Sequence, residues 1–462
     1  MMSGVPEIYA IPFGGKSVIY RPRRHTAFVG NGALVRYVLE RGLEPAARAD
    51  PDIEQFLREA GFDRPALACP LPQLDSRFRP TDAVLLMTNR CNLRCTYCYA
   101  NAGDEPRPAD MSWAVAKAVI DYVVGNSRHA GAQAPSLTFH GGGEPTVHWD
   151  LLVRAVAYAK AVEPCTRISM SSNGIWTEAQ RRFVCRNFAD VSLSMDGVAE
   201  VQNRQRPRTG GQDSAADVWQ SIRALDEAAV EYGIRMTVLP ESVDRLAEGV
   251  RMICRDTKAR AVQVEPTFTS SRGQYSDIDC GFADAFSERF MEAWRVGRAA
   301  NRQVYYSGAR PWVIAPVFCQ APLKAAVATA DGRLVTCFEV FSELSTLAGG
   351  FTVGRIRDGR VEFDRASLQA FLDEQQRRRQ ECVDCFCYWH CCGDCATRRP
   401  GGRTANAGRC RATRNITLAM LLAFMEESGG LWVGLRDASA AAPAGCNPAD
   451  RMPARRDGMS AG

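Results

Sequence analysis

Between residues 83 and 300, short apolar runs alternate with longer amphipathic stretches, and this alternation limits the folds open to the chain. The runs are AVLLMT (83–88), LTFH (137–140), RISMS (167–171), DVSLSM (190–195), IRMTVL (234–239) and AVQVE (261–265). Helical patterns follow them at 112–124, 149–162, 177–187, 215–232, 243–254 and 281–300, the first with Ser112 as an N-cap. Strict alternation predicts parallel strands, because each crossover is itself a helix. AVLLMT is apolar at nearly every position, as suits a strand covered on both faces. Six such units can close as a partial barrel or lie open as a doubly wound sheet, and periodicity alone does not choose.

The flanks read differently. Residues 1–80 predict a small α+β module, with extended segments at 7–12, 17–21 and 26–29 and helices at 33–41 and 52–60. Ile53, Phe56 and Leu57 form one apolar stripe on the second helix. Pro65, Pro70, Pro72 and Pro80 mark 65–81 as a linker. Past residue 310 the alternation stops. AAVAT (325–329), RLVTCF (333–338) and a helix at 366–380 remain, and the small, polar, proline-containing end after 436 reads as a disordered tail. The expected units are therefore 1–80, a barrel over 81–305, a cysteine-rich domain over 306–436, and the tail 437–462. No internal repeat is visible.

Composition excludes several classes. With 46% hydrophobic and 24% charged residues the chain is not wholly disordered. A net charge of +5 over 462 residues is too thin for a nucleic-acid-binding face. No run of 18 apolar residues predicts a membrane span, and MMSGVPEIYAIPFGG lacks the form of a signal peptide. The expected location is the cytoplasm, with no membrane or nucleic-acid partner.

The 18 cysteines stand out, and they are clustered. Clustered thiols in a long, unexported chain read as metal ligands before disulfides. Cys91, Cys95 and Cys98 give Cys-x3-Cys-x2-Cys just past the first strand, where parallel α/β proteins bind ligands. Three thiolates can hold three irons of a cubane and leave the fourth open. The competing reading is a zinc loop that borrows His140 or His148. Against it stand three further strand ends with polar groups: HGGGEP (140–145), SSNG (171–174) and SMDG (194–197). Backbone beside Gly142 and Gly143 can approach a ligand closely, and Glu144 can accept from an ammonium group.

On these motifs the stretch 83–300 resembles the radical S-adenosylmethionine (SAM) enzymes. The resemblance implies a partial (β/α)6 TIM-like barrel. It also implies a [4Fe–4S] cluster on Cys91, Cys95 and Cys98 whose open iron is chelated by SAM. It places Tyr97 by the adenine, the Gly142–Gly143–Glu144 segment at the methionine amino group, and Asn173 and Ser194 near the ribose. The family pattern DGPxxxHDxxR is only partly present: Asp196 and Gly197 stand, Val198 replaces proline, and Gln202 and Asn203 replace His-Asp. Arg206 closes the pattern, and the resemblance puts it near the SAM carboxylate.

A second set reads Cys382-x2-Cys385-x5-Cys391-x3-Cys395, followed by Cys410, with Cys319-x12-Gly332-x4-Cys337 upstream. Taken alone it suits zinc knuckles as readily as iron. Beside the first set it is similar to the SPASM domain, which carries two auxiliary clusters. By that resemblance Cys382, Cys385, Cys391 and Cys410 hold one cluster, and Cys319, Cys337 and Cys395 hold another whose fourth position is open or filled by a nearby residue. Cys387 and Cys392 interrupt the spacing. Cys69, Cys165, Cys185, Cys254, Cys280 and Cys446 fit no motif and read as incidental thiols.

The resemblance implies three [4Fe–4S] clusters, SAM, an electron donor such as flavodoxin or ferredoxin, and a precursor peptide substrate. The implied activity is hydrogen abstraction from a ribosomally made peptide by a 5′-deoxyadenosyl radical, then oxidative formation of a C–C, C–S or C–O crosslink. Two alternatives stand beside it: oxidation of Cys or Ser to formylglycine, as in sulfatase maturation, and a non-catalytic zinc or iron–sulfur protein. The 1–80 module resembles a peptide-recognition domain that adds its ligand as a strand; a plain structural cap is the other reading.

Overall fold

The computed structural model describes residues 5–42, 50–69, 78–104, 108–130, 134–276, 278–343, 348–398 and 407–434. The expected tail, Cys446 and much of the proline-rich linker lie outside these residues.

Three antiparallel strands open the chain: β1 (Tyr9–Phe13), β2 (Lys16–Arg21) and β3 (Thr26–Gly30). Helices Gly32–Arg41 and Pro51–Glu59 pack on them, burying Ile19, Phe28, Val38, Leu57 and Phe62. Asp50 caps the second helix, its carboxylate accepting from Asp52 N at 3.0 Å. The helices are tied by buried Arg41, which donates to Glu54 at 2.6 and 2.7 Å and to Asp63 at 2.8 Å. These guanidinium contacts hold the Glu54 carboxyl down to about 2.

The barrel strands are β4 (Asp82–Leu86), β5 (Ser136–His140), β6 (Arg167–Ser172), β7 (Asp190–Ser194), β8 (Glu231–Val238) and β9 (Ala261–Pro266). Each pairs in parallel with the next in sequence, with no reversal of order. A doubly wound sheet would reverse at a switch point, so this order is that of a barrel wall and settles the choice that periodicity left open. Ala83 and Leu85 join the main core, while Val84 and Leu86 join a second cluster on the other face, which explains the unbroken apolar run. On the later strands apolar residues alternate with half-buried polar ones, such as Thr138, Ser169, Ser192, Ser194, Thr237 and Gln263. The helices cover the apolar side, so the polar residues line the concave side.

Four differences from the expected layout appear, three of them involving pairings distant in sequence. A two-stranded ribbon, β10 (Thr269–Ser271) and β11 (Gln274–Tyr275), lies between β9 and the next helix. β12 (Gln303–Tyr305) extends the sheet beside β9. β13 (Ala325–Thr329) runs parallel to β4 at the opposite edge, followed by antiparallel β14 (Arg333–Val335), β15 (Thr352–Arg357) and β16 (Arg360–Phe363). The cysteine-rich region is thus built onto the barrel sheet and not hung from it. Finally β17 (Leu431–Val433) pairs with β3, and Trp432 stacks on Phe424 at 5.1 Å. The N-terminal sheet therefore needs residues from the far end of the chain, and residue 80 does not bound it.

Some helix ends also move. Helix 215–232 stops at Glu227, because β8 begins at Glu231. Helix 243–254 starts at Leu246, after a 3-10 turn. Ala199–Gln205 is an additional short helix.

Candidate functional site

The loop Cys91–Cys98 leaves β4 at its C-terminal end and is held in place mostly through its backbone. Arg94 N donates to Pro207 O at 2.7 Å, Thr96 N to Gln205 O at 2.9 Å, and Cys98 N to Cys95 O at 3.2 Å. Two arginines brace it, Arg94 from within the loop and Arg272 from outside. Arg94 donates to Cys91 O and Gly103 O, and Arg272 in the β10–β11 ribbon donates to Cys95 O at 2.7 Å and Ala102 O at 2.9 Å. Gly273 N reaches Cys98 O at 2.8 Å. Neither arginine nor the ribbon carries a motif, so sequence reasoning had no signal for them.

The three thiols face one another closely enough to act electrostatically. Burial, and then Cys95, push the Cys91 thiol up to about 12, and burial pushes Cys95 up to about 11. Asn173 Nδ2 stands 3.8 Å from Cys91 Sγ. Among the described residues no three His, Cys, Asp or Glu side chains converge on a single ion. Cubane ligands sit on separate irons, so three thiols spread along one loop fit a cluster. The two histidines that a zinc site would borrow have other contacts. His148 Nε2 is 2.9 Å from Met111 O, and His140 Nδ1 accepts from Gly141 N at 2.9 Å.

The glycine turn after β5 sits directly on this loop. Gly143 N donates to Thr88 O and Glu144 N to Arg90 O, both at 2.9 Å. A Cβ on Gly143 would lie 2.0 Å from Arg90 O, and one on Gly142 would lie 2.3 Å from the Phe341 ring. These glycines therefore admit the cysteine loop and an aromatic ring. Glu144, 2% exposed, accepts from Thr146 N, Thr146 Oγ1, Ser172 Oγ and Asn173 N at 2.8–3.2 Å. Its carboxylate ties the ends of β5 and β6 together. Asn173 Oδ1 accepts from Ile175 N, and its amide also reaches Asn92 Oδ1 at 2.7 Å.

The residue that organises the far side is Asp196, which sequence reasoning noted only as the head of a broken motif. It accepts Tyr97 Oη at 2.6 Å, Gln205 Nε2 at 2.7 Å, Thr237 N at 2.9 Å, and Arg206 through Nε at 2.9 Å and Nη2 at 3.1 Å. Arg206 is thus committed to a buried bidentate pair, with its guanidinium 5.2 Å from the Tyr97 ring centre. The two replacements in the motif have structural work here. Gln202 Oε1 accepts from Asp196 N, and Asn203 Oδ1 accepts from Ser214 N and Ala215 N at the start of helix Ala215–Glu227. Ser194 closes β7 two residues before Asp196.

In the C-terminal region Cys382, Cys385, Cys391 and Cys410 line one cavity of about 30 Å³, together with Cys387 and Tyr388. The cavity draws on two segments, joined by the buried ion pair of Arg409 with Asp394 at 2.5 Å. Asp394 precedes Cys395 and Arg409 precedes Cys410, so the pair sets the two cysteine-bearing segments against each other. Gly393, at φ +82°, packs against Arg379 backbone 3.1 Å from where a Cβ would stand. Cys337 lies with Cys319 and Cys395 in a separate group; burial first, then the charges of Glu339, Cys395 and Cys319, raise the Cys337 thiol. Cys392 donates to Ala315 O at 3.1 Å and joins neither group.

An arc of parallel strands carries three thiols on its first C-terminal loop and polar groups on the next three strand ends. Residues 85–253 match the Radical SAM superfamily, and this part of the chain is a radical SAM domain. That family implies a [4Fe–4S] cluster and SAM, and the thiol loop fits the cluster. The chain is 32% identical over 185 residues to Fe-coproporphyrin III synthase of Methanosarcina barkeri, and 29% identical over 184 residues to mycofactocin maturase MftC of Mycobacterium tuberculosis. These matches cover 40% and 37% of this chain, and 43% of each relative. The solved structure of native anSMEcpe with bound AdoMet aligns with a TM-score of 0.56 at 18% identity, covering 74% of this chain and 98% of that one. That likeness concerns the fold.

Proposed function

We propose that the protein is a radical SAM peptide maturase that oxidatively crosslinks a ribosomally made peptide. The observation that carries this reading is the pairing of a radical SAM domain with two further thiol groups in the C-terminal region. Cys91, Cys95 and Cys98 would hold the SAM cluster. Cys382, Cys385, Cys391 and Cys410 would hold one auxiliary cluster, and Cys319, Cys337 and Cys395 the other. When bound, these groups supply a 5′-deoxyadenosyl radical and acceptors for the electron left on an oxidised substrate. The chain's own residues position and seal. Tyr97 and Arg206, both locked on Asp196, present an aromatic face and a fixed positive charge beside the cluster loop. The amide of Asn173 and the Gly142 turn offer polar contacts to SAM at neighbouring strand ends.

The relative named a mycofactocin maturase favours a peptide substrate. A second reading follows from the relative named Fe-coproporphyrin III synthase: a tetrapyrrole substrate. The N-terminal sheet supports the peptide. Among the described residues β1 is an edge of that sheet, where a leader segment can add as a strand. The electron donor would be a flavodoxin or ferredoxin. Formylglycine formation remains the alternative within peptide chemistry.

The test is anaerobic incubation of reconstituted enzyme, SAM and reductant with short peptides encoded beside the gene. Mass spectrometry should show loss of two hydrogens and a fragment gap spanning a crosslink. A product that reacts with hydrazide probes would favour formylglycine, and turnover of a porphyrin but of no peptide would overturn the peptide reading.

A further inference from the structure

A closed [4Fe–4S] cluster takes four protein ligands, and the Cys319, Cys337 and Cys395 group offers only three thiols. The remaining thiols nearby are placed elsewhere. Cys387 lines the other cavity, and the Cys392 thiol donates to the Ala315 carbonyl. Among the described residues, a carboxylate stands beside Cys337 and Cys395.

Glu339 follows Cys337 by two residues, and its backbone N–H points back to Cys337 Sγ at 3.5 Å. The Thr397 hydroxyl donates to Glu339 Oε2 at 3.0 Å and lies 3.2 Å from Cys395 Sγ. Sulfur and carboxylate therefore flank one hydroxyl. The other carboxylate oxygen, Oε1, pairs with Arg398 at 2.5 Å. One oxygen is thus anchored by a guanidinium, and the other faces the thiols through a small, displaceable hydroxyl.

We propose that Glu339 is the fourth ligand of the auxiliary cluster held by Cys319, Cys337 and Cys395. This rests on the reading above that those cysteines hold a cluster. It makes that cluster closed, so it passes electrons and does not bind substrate at an iron. Arg398 holds the carboxylate in its ligating orientation, and Thr397 serves both Cys395 and Glu339.

The test uses the full-length chain with Cys91, Cys95 and Cys98 changed to Ala, so that only auxiliary signals remain. Four versions are reconstituted anaerobically: Glu339 intact, Glu339→Gln, Glu339→Cys and Arg398→Gln. Iron is counted, and electron paramagnetic resonance is recorded on the reduced clusters and after mild oxidation. With Glu339 intact, about eight irons per chain are expected, two cubanes. Glu339→Gln should change the spectrum of one cluster only, and that cluster should lose one iron on oxidation and give a three-iron signal. Glu339→Cys should restore a four-iron cluster that survives oxidation. Arg398→Gln removes the ion pair but not the ligand, and should keep four irons. A Glu339→Gln spectrum and iron count identical to the parent would overturn the ligand assignment while leaving the clusters standing. About four irons per chain in the parent would overturn the cluster reading itself, and the assignment with it.

Discussion

Replacing Asp196 by Asn keeps the shape of the side chain and removes its charge, leaving the Arg206 guanidinium buried without a counter-ion. Both side chains are almost fully enclosed, at 0% and 9% exposure. Breaking a buried ion pair from one side costs about 3–5 kcal/mol. In a domain of this size about 2–4 °C of Tm is lost per kcal/mol, so Asp196→Asn should lower Tm by about 10 °C. The cost arises from the stranded charge, so adding Arg206→Met should recover about half of it; Arg206→Met alone strands buried Asp196 at a similar cost, so the double variant should fall several kcal/mol short of the sum of the two single losses. Thermal unfolding followed by circular dichroism on the four members of the cycle reads this directly. SAM binding should weaken roughly tenfold in Asp196→Asn, since one charge-assisted contact loses its positioning, and should not return in the double variant. Additive Tm losses in the cycle would refute the claim that Arg206 is held there by charge pairing.

Three further expectations follow. Gly143→Ala puts a methyl 2.0 Å from Arg90 O, so it should abolish cluster loading at Cys91, Cys95 and Cys98 while auxiliary iron persists, as iron counting will show. Buried His25 has a folded value lowered from 6.5 to about 4 by burial, so it stays neutral in the fold while the unfolded chain takes up a proton. Its contribution is intact above pH 6.5 and is lost as pH falls towards 4, about 3 kcal/mol in all; His25→Asn, which suits φ +50°, should flatten that part of the urea-unfolding pH profile. Arg409→Leu strands Asp394 and should cost about 3–5 kcal/mol, with loss of iron from the Cys382, Cys385, Cys391 and Cys410 group.

What the sequence disclosed was local. Cysteine spacing is short-range, and the six apolar runs report their own burial, so the barrel strands fall within a few residues of where periodicity puts them. The strand-end motifs likewise follow directly from strand positions. What stayed hidden was set by distant partners. Asp196 meets Tyr97 across 99 positions, and Thr397 meets Glu339 across 58. The pairing of β17 with β3, and of β13 with β4, leaves no local pattern, because a three- to five-residue apolar run fits many edges. Glu144 was legible as a strand-end carboxylate, yet its bracing of Ser172 and Asn173 was not, since only the fold brings those strand ends together.

The central claim is that the thiol loop after β4 supports reductive cleavage of SAM. The most direct measurement is chromatographic detection of 5′-deoxyadenosine after the reconstituted protein is mixed anaerobically with SAM and dithionite. The wild-type chain should form it with methionine in equal amounts, and the Cys91, Cys95 and Cys98 to Ala variant should form none while keeping its auxiliary iron. Stoichiometric zinc without acid-labile sulfide, or 5′-deoxyadenosine made equally by the triple variant, would contradict the account.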